Sequence, residues 1–84
     1  MIINIAQKHI DEEKFINAIN SYEVIHDQNA YLFMNKETFN ELAIFNALNV
    51  DFGTTKDCNG VVNSYYGRRV YENEKLKFGE VEIR

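Results

Sequence analysis

Proline and tryptophan are absent from this chain, cysteine occurs once, and glycine only four times in 84 residues. Each scarcity excludes something. Without proline no turn can use a preset φ, so reversals must rest on glycine, asparagine and aspartate. A single cysteine, Cys58, rules out an internal disulfide, and no Cys/His cluster reads as a structural zinc site. No apolar run approaches the ~20 residues of a membrane span. The opening segment MIINIAQKH lacks a basic n-region, and Asn4 and Gln7 interrupt its apolar character, so it does not read as a signal peptide. These features together predict a soluble, cytoplasmic protein with a reduced thiol.

What is present favours a folded chain: 45% of residues are hydrophobic and 13% aromatic, too many for a disordered segment. The length suits one domain, residues 1–84. A chain this short buries only about 60–65% of the surface it exposes when unfolded. Stability must therefore come from packing alone, or from packing plus self-association.

The net charge is −4 and is unevenly placed. Residues 1–53 carry three lysines against eight carboxylates, whereas residues 54–84 carry six cations against five carboxylates. An acidic chain is repelled by a phosphate backbone, which disfavours nonspecific nucleic-acid binding.

Along the chain, Phe15, Ile16, Ile19 and Tyr22 fall on one helical stripe beginning after Asp11, with Asp11, Glu12 and Glu13 placed to complement the helix dipole. Tyr31 to Met34 is a continuous apolar run of strand length, which predicts a central strand buried on both faces. A second helix is expected over Lys36 to Leu48, capped by Asn35 or Thr38; Thr38-Phe39-Asn40-Glu41 fits a capping box. That helix is apolar on more than one side. Phe39, Leu42, Ala43 and Ala47 form one face, while Ile44, Phe45 and Leu48 spread round the rest, so either the helix is sandwiched inside the domain or its outer face meets another subunit. Residues 49–60 read as irregular, with turns at Gly53 and Asn59-Gly60. Strands follow near 61–66 and 69–72, then a turn with Leu76 and Phe78 tucked beneath it. Glu80 to Arg84 alternates, with Val81 and Ile83 inward. The predicted class is α+β: two helices packed on a small, mainly antiparallel sheet.

Chemical motifs do not survive inspection. Asp51-Phe52-Gly53 spells a kinase magnesium motif without the rest of a kinase. Asp57-Cys58-Asn59-Gly60 resembles the start of a calcium loop, but the twelfth position from Asp57 is Arg68 where glutamate is required. Cys58 has only Lys56 as a basic neighbour, and Glu12-Glu13 cannot face one point on a helix. No catalytic, metal or cofactor site is expected, and the chain does not read as an enzyme. The cluster that carries weight is Tyr65, Arg68, Arg69 and Tyr71, accompanied by Tyr66. Tyrosine with arginine is enriched at protein contacts and can also stack single-stranded bases; a hairpin with tyrosines half in the core and arginines in solvent is the plainer alternative.

YLFMNKETFNEL, followed by YYGRRVYENEKLKFGEVEIR, resembles short proteins encoded by phages and prophages of low-GC Gram-positive bacteria. The shared pattern is an apolar strand ending in Met-Asn, a helix containing Thr-Phe, and a closing Leu-x-x-Gly-x-Val-Glu-Ile. The abundance of Asn, Ile, Lys, Tyr and Phe, which use A/T-rich codons, agrees with such a source. The same order is similar to the last segment of tailed-phage major capsid subunits, although Arg68-Arg69 stands where those have proline and the chain has no room for a shell-forming subunit. The resemblance implies a small α+β module in the bacterial host cytoplasm. The expected function is protein interaction by a homo-oligomer, for example inhibition of a host or defence protein, through Ile44, Phe45, Leu48, Tyr65, Arg68, Arg69 and Tyr71. A minor virion or assembly component and a single-strand nucleic-acid binder are the alternatives.

Overall fold

The computed structural model describes residues 1–6, 9–53 and 55–84. Asp11 starts the first helix, α1 (Glu12–His26): its backbone is extended, and its carboxylate accepts the Lys14 N–H at 3.1 Å. Glu12 and Glu13 fill the first turn, where the backbone N–H groups favour negative charge. Phe15 and Ile19 are buried, and Ile16 and Tyr22 pack beside them, so the predicted stripe is the core-facing one. With no proline to stop it, α1 ends at Asp27, which takes the left-handed conformation (φ 50°).

Helix α2 runs Lys36–Phe45 and ends three residues short of the expected Leu48. Asn46 closes it, its side-chain amide donating to the Leu42 carbonyl at 3.3 Å and its N–H to Ala43 at 3.4 Å. The cap at the other end is Asn35, not Thr38. The Asn35 carboxamide oxygen accepts both the Thr38 N–H and the Thr38 hydroxyl, each at 2.8 Å. Thr38 is fully buried one turn inside the helix, where its hydroxyl oxygen also accepts the Gly79 N–H at 3.0 Å. The capping-box expectation is therefore corrected: Thr38 links the helix to a distant turn and Glu41 closes no box.

Among the described residues eight strands complete the fold: β1 (Ile2–Asn4), β2 (Leu32–Met34), β3 (Val50–Asp51), β4 (Lys56–Asp57), β5 (Gly60–Val61), β6 (Asn63–Tyr65), β7 (Arg68–Glu72) and β8 (Glu80–Ile83). Six of them form one sheet in the order β1-β8-β2-β7-β6-β3, and β4-β5 is a separate hairpin. Only β2 and β7 run parallel, so the α+β class with a mainly antiparallel sheet is as the sequence implied. All three residues of β2 are buried, which places it centrally as its apolar run required, but Tyr31, the first residue of that run, lies before the strand and is exposed. Three short strands lie in the stretch read as irregular. Tyr66 and Gly67, both at positive φ (50° and 78°), make the two-residue turn between β6 and β7.

Both helices pack on one face of the sheet, around Phe15, Ile19, Leu32, Met34, Leu42 and Tyr65. The opposite face carries a smaller cluster of Phe33, Tyr71 and Leu76, with Val62 against it. Leu76 is buried as expected, but Phe78 is exposed, because the turn swings it outward while Gly79 dives under Ala6. Gly79 has φ of 84°, and a Cβ there would collide with the Ala6 side chain. Thr38→Val is expected to destabilise the fold by about 2–3 kcal/mol, since it strands the buried Gly79 N–H; Thr38→Ser keeps the hydroxyl and loses roughly half as much. Urea unfolding of both variants checks this.

Candidate protein-interaction surface

The Tyr/Arg cluster of the C-terminal half is taken apart by the pleat. Tyr65 and Tyr71 sit on opposite faces of the sheet and are 0% and 2% exposed. Tyr65 stacks on Phe15 (ring centroids 5.2 Å apart) and donates its hydroxyl to Glu12 at 2.8 Å. Burial and the Glu12 carboxylate push its phenol far above the ordinary range. Tyr71 stacks on Phe33 and donates to Asp57 of the β4-β5 hairpin at 2.6 Å. That hydrogen bond holds the Asp57 carboxyl below its usual value. Neither tyrosine presents a ring to a partner, and the expectation that they would is corrected.

Arg68 is likewise committed. Its guanidinium grips Glu23 of α1 through two nitrogens, at 2.7 and 3.3 Å, and donates to the Tyr66 carbonyl at 3.0 Å. Glu23 also accepts the Ala30 N–H at 2.8 Å, so one carboxylate ties α1, the approach to β2 and the start of β7. The Arg68 hydrogen bond lowers the Glu23 pKa despite its partial burial. Arg69 projects from the surface, with Asp57 loosely beside it at 3.8 Å, and Tyr66 in the turn is 37% exposed.

Pairing places Arg84, Tyr31 and Arg69 in one row across β8, β2 and β7, on the face without helices. Arg84 lies over the Phe33 ring, 3.9 Å from its centroid, and reaches Glu82 at 3.3 Å. Sequence reading missed this row because its three members are far apart in the chain; a strand register was needed to align them. A cleft of about 430 Å³ is lined by Arg68, Arg69 and Arg84, yet each guanidinium already has a carboxylate within 4 Å, which offsets its attraction for a phosphate.

Apolar surface is found elsewhere. Ile44 on α2 is 70% exposed, and Leu48, in the turn beyond the helix, is 100% exposed. The side chain of Phe45 lies outside the described residues. A second patch was not anticipated: Val24 and Ile25, at the end of α1, are 81% and 76% exposed, and Met1 and Ile2 of the neighbouring sheet edge are more than half exposed. Ile25 and Met1 line a groove of about 420 Å³ between α1 and β1, with Ile3, Ala18 and Tyr22. The core-facing stripe of α1 ends at Tyr22, so its spacing does not mark the exposed last turn. Another hollow, about 440 Å³, lies between the start of α2 and the β4-β5 hairpin, with Phe39, Phe52 and Val61 beside asparagines and rim charges of both signs.

Among the described residues no three His, Cys, Asp or Glu side chains are placed to share a metal ion. Cys58, His9 and His26 are all exposed. Among the same residues no helix is long and apolar enough to cross a membrane. No protein-family model matches this chain, and no curated protein or solved structure does either.

Proposed function

We propose that the chain is a small phage- or prophage-encoded module that works by binding another protein. The observation that carries this reading is the placement of large aliphatic side chains in solvent at two separate sites, Ile44 with Leu48 and Val24 with Ile25, while the two sheet faces are already occupied. Covering one such side chain contributes about 1.5–3 kcal/mol before the entropic cost of association, so either site offers a partner more than it offers the monomer. The resemblance of Tyr31 to Arg84 to short phage proteins supplies the source, and inhibition of a host or defence protein is the activity that a compact binder without chemistry of its own performs. The carboxylates beside all three C-terminal-half arginines favour a protein partner over single-stranded nucleic acid.

The double variant Ile44→Asp/Leu48→Asp tests the α2 site. Both residues are exposed, so stability is expected to stay within about 0.5 kcal/mol of the parent. Capture of a partner from host lysate, or self-association seen by light scattering, is expected to weaken at least ~10-fold if this site is the contact. A parent protein that remains monomeric at high micromolar concentration and captures nothing overturns the reading.

A further inference from the structure

Strand β1 is the first strand of the sheet, and only one of its sides is paired. Met1 exchanges both backbone hydrogen bonds with Ile83 (3.1 and 2.8 Å), Ile3 stands opposite Val81, and the Ile5 N–H donates to Gly79 at 2.8 Å. Antiparallel alternation then directs the backbone groups of Ile2 and Asn4 away from β8, toward the open side. The Asn4 carbonyl confirms the direction, for it accepts the Lys14 ammonium at 2.8 Å from that side. No described group bonds the outward N–H or C=O of Ile2. On the helix-bearing face beside this edge, α1 and β1 leave the groove floored by Ile3 and walled by Ala18, Tyr22 and Ile25.

Resting on the protein-binding reading, we propose that this groove takes an extended peptide segment of a partner, added as a further strand on β1, with apolar side chains at alternate positions and acidic residues at its ends. The outward backbone of Ile2 supplies hydrogen bonds that only an extended backbone can return. Alternate side chains of an added strand point into the apolar groove. Three residues of β1 span about 10 Å, which limits the recognised core to a few residues.

Charge selects the ends. No carboxylate lines the groove. Lys14 stands at its Asn4 end, and His26 and Arg84 at its Met1 end. Of the acids nearby, Asp11 is held on the Lys14 N–H as the α1 cap, and Glu82 faces the other side of the sheet, bonded to Arg84 at 3.3 Å. The inner side of β1 already shows the fit, because it pairs with Glu80-Val81-Glu82-Ile83, itself an alternation of acid and aliphatic. Lys14 and Arg84 also bear on a second copy. Antiparallel β1-to-β1 pairing would bring Lys14 of each copy beside the Arg84 end of the other, a like-charge contact that the Glu82 pairing of Arg84 offsets in part.

The test uses the whole chain and two capped, fluorescein-labelled peptide libraries. Both carry Val, Ile or Leu at alternate central positions; one is flanked by Glu and the other by Lys. Selected Glu-flanked peptides are expected to bind at least ~10-fold more tightly than their Lys-flanked counterparts, with the preference reduced in high salt. Ile25→Glu, at an exposed position, is expected to weaken binding by a similar factor, and Ile2→Pro, which removes an outward N–H without touching the β1-β8 ladder, by as much again. Cys58→Ser, in the β4-β5 hairpin away from both apolar sites, is expected to leave peptide binding unchanged. Equal binding of the two libraries, absence of binding to either at millimolar peptide, or insensitivity to both Ile25→Glu and Ile2→Pro overturns the proposal. A dimer abolished by Ile2→Pro also overturns it, in favour of edge pairing between copies. Partner capture that is lost in Ile44→Asp/Leu48→Asp but retained in Ile25→Glu removes the groove while leaving the protein-binding reading intact.

Discussion

Replacing Tyr65 with alanine is expected to destabilise the protein by about 3–5 kcal/mol, the range for deleting a fully buried aromatic. An 84-residue domain holds only roughly 4–13 kcal/mol in total, so this loss populates the unfolded state at modest denaturant. The reason is local. The Tyr65 ring stacks on Phe15 beneath α1, and its hydroxyl bonds Glu12 in the first turn of that helix. Tyr65→Phe keeps the ring and surrenders only that bond to a partly solvated carboxylate, a loss of about 1 kcal/mol. Arg69→Ala, four residues away, is expected to change stability by no more than about 0.5 kcal/mol, since its side chain is mostly in solvent. Chemical denaturation of the three variants separates scaffold from surface within one short sequence. Similar losses for Tyr65→Ala and Arg69→Ala would contradict the burial described.

The second large effect belongs to Glu23. Glu23→Ala leaves the Arg68 guanidinium and the Ala30 N–H without their shared acceptor, and a loss of about 2–3 kcal/mol is expected, below the full cost of an orphaned buried charge because solvent reaches part of the pair. The same contact has a pH signature. Arg68 and the Ala30 amide hold the Glu23 pKa below its ordinary 4.5 in the folded state. The unfolded chain therefore binds the proton more readily. The stabilisation is complete above about pH 4.5 and disappears as pH falls through the lowered folded value. Unfolding midpoints measured from pH 7 downward should show a steeper acid decline in the parent than in Glu23→Gln. Parallel curves would remove Glu23 as a source of acid sensitivity.

The elements that were legible in the chain are those whose signal is local and repeated. Phe15, Ile16, Ile19 and Tyr22 recur at helical spacing after a run of acids, and α1 begins there. Leu32 to Met34 is apolar without alternation, and β2 is covered on both faces. The end of α2 was not legible, because Ala43 to Leu48 contains no glycine or proline; a side-chain amide at Asn46 stops the helix instead. Nor was the role of Thr38, whose partner Gly79 is 41 residues away. Of the surface residues inferred beforehand, Ile44, Leu48 and Arg69 are in solvent. Tyr65 and Tyr71 are not, since adjacent tyrosines and arginines in a hairpin are sorted by strand parity that the turn alone determines: Tyr66-Gly67 takes two residues, sets Tyr65 opposite Arg68, and thereby sends Tyr71 to the other face. The groove along β1 required knowing that the first strand pairs with the last.

That pairing of beginning with end also governs how the molecule comes into being. The central strand β2 is flanked by β7 and β8, and β1 has β8 as its one neighbour, so residues 1–67 contain neither of the central strand's partners. While the chain folds the helices can flicker and β3 can meet β6, but the central strand stays unpaired until β7 and β8 reach it. Contacts of such long sequence separation are slow to close, and the greasy Tyr31–Met34 run stays available to chaperones, or to aggregation, until they do.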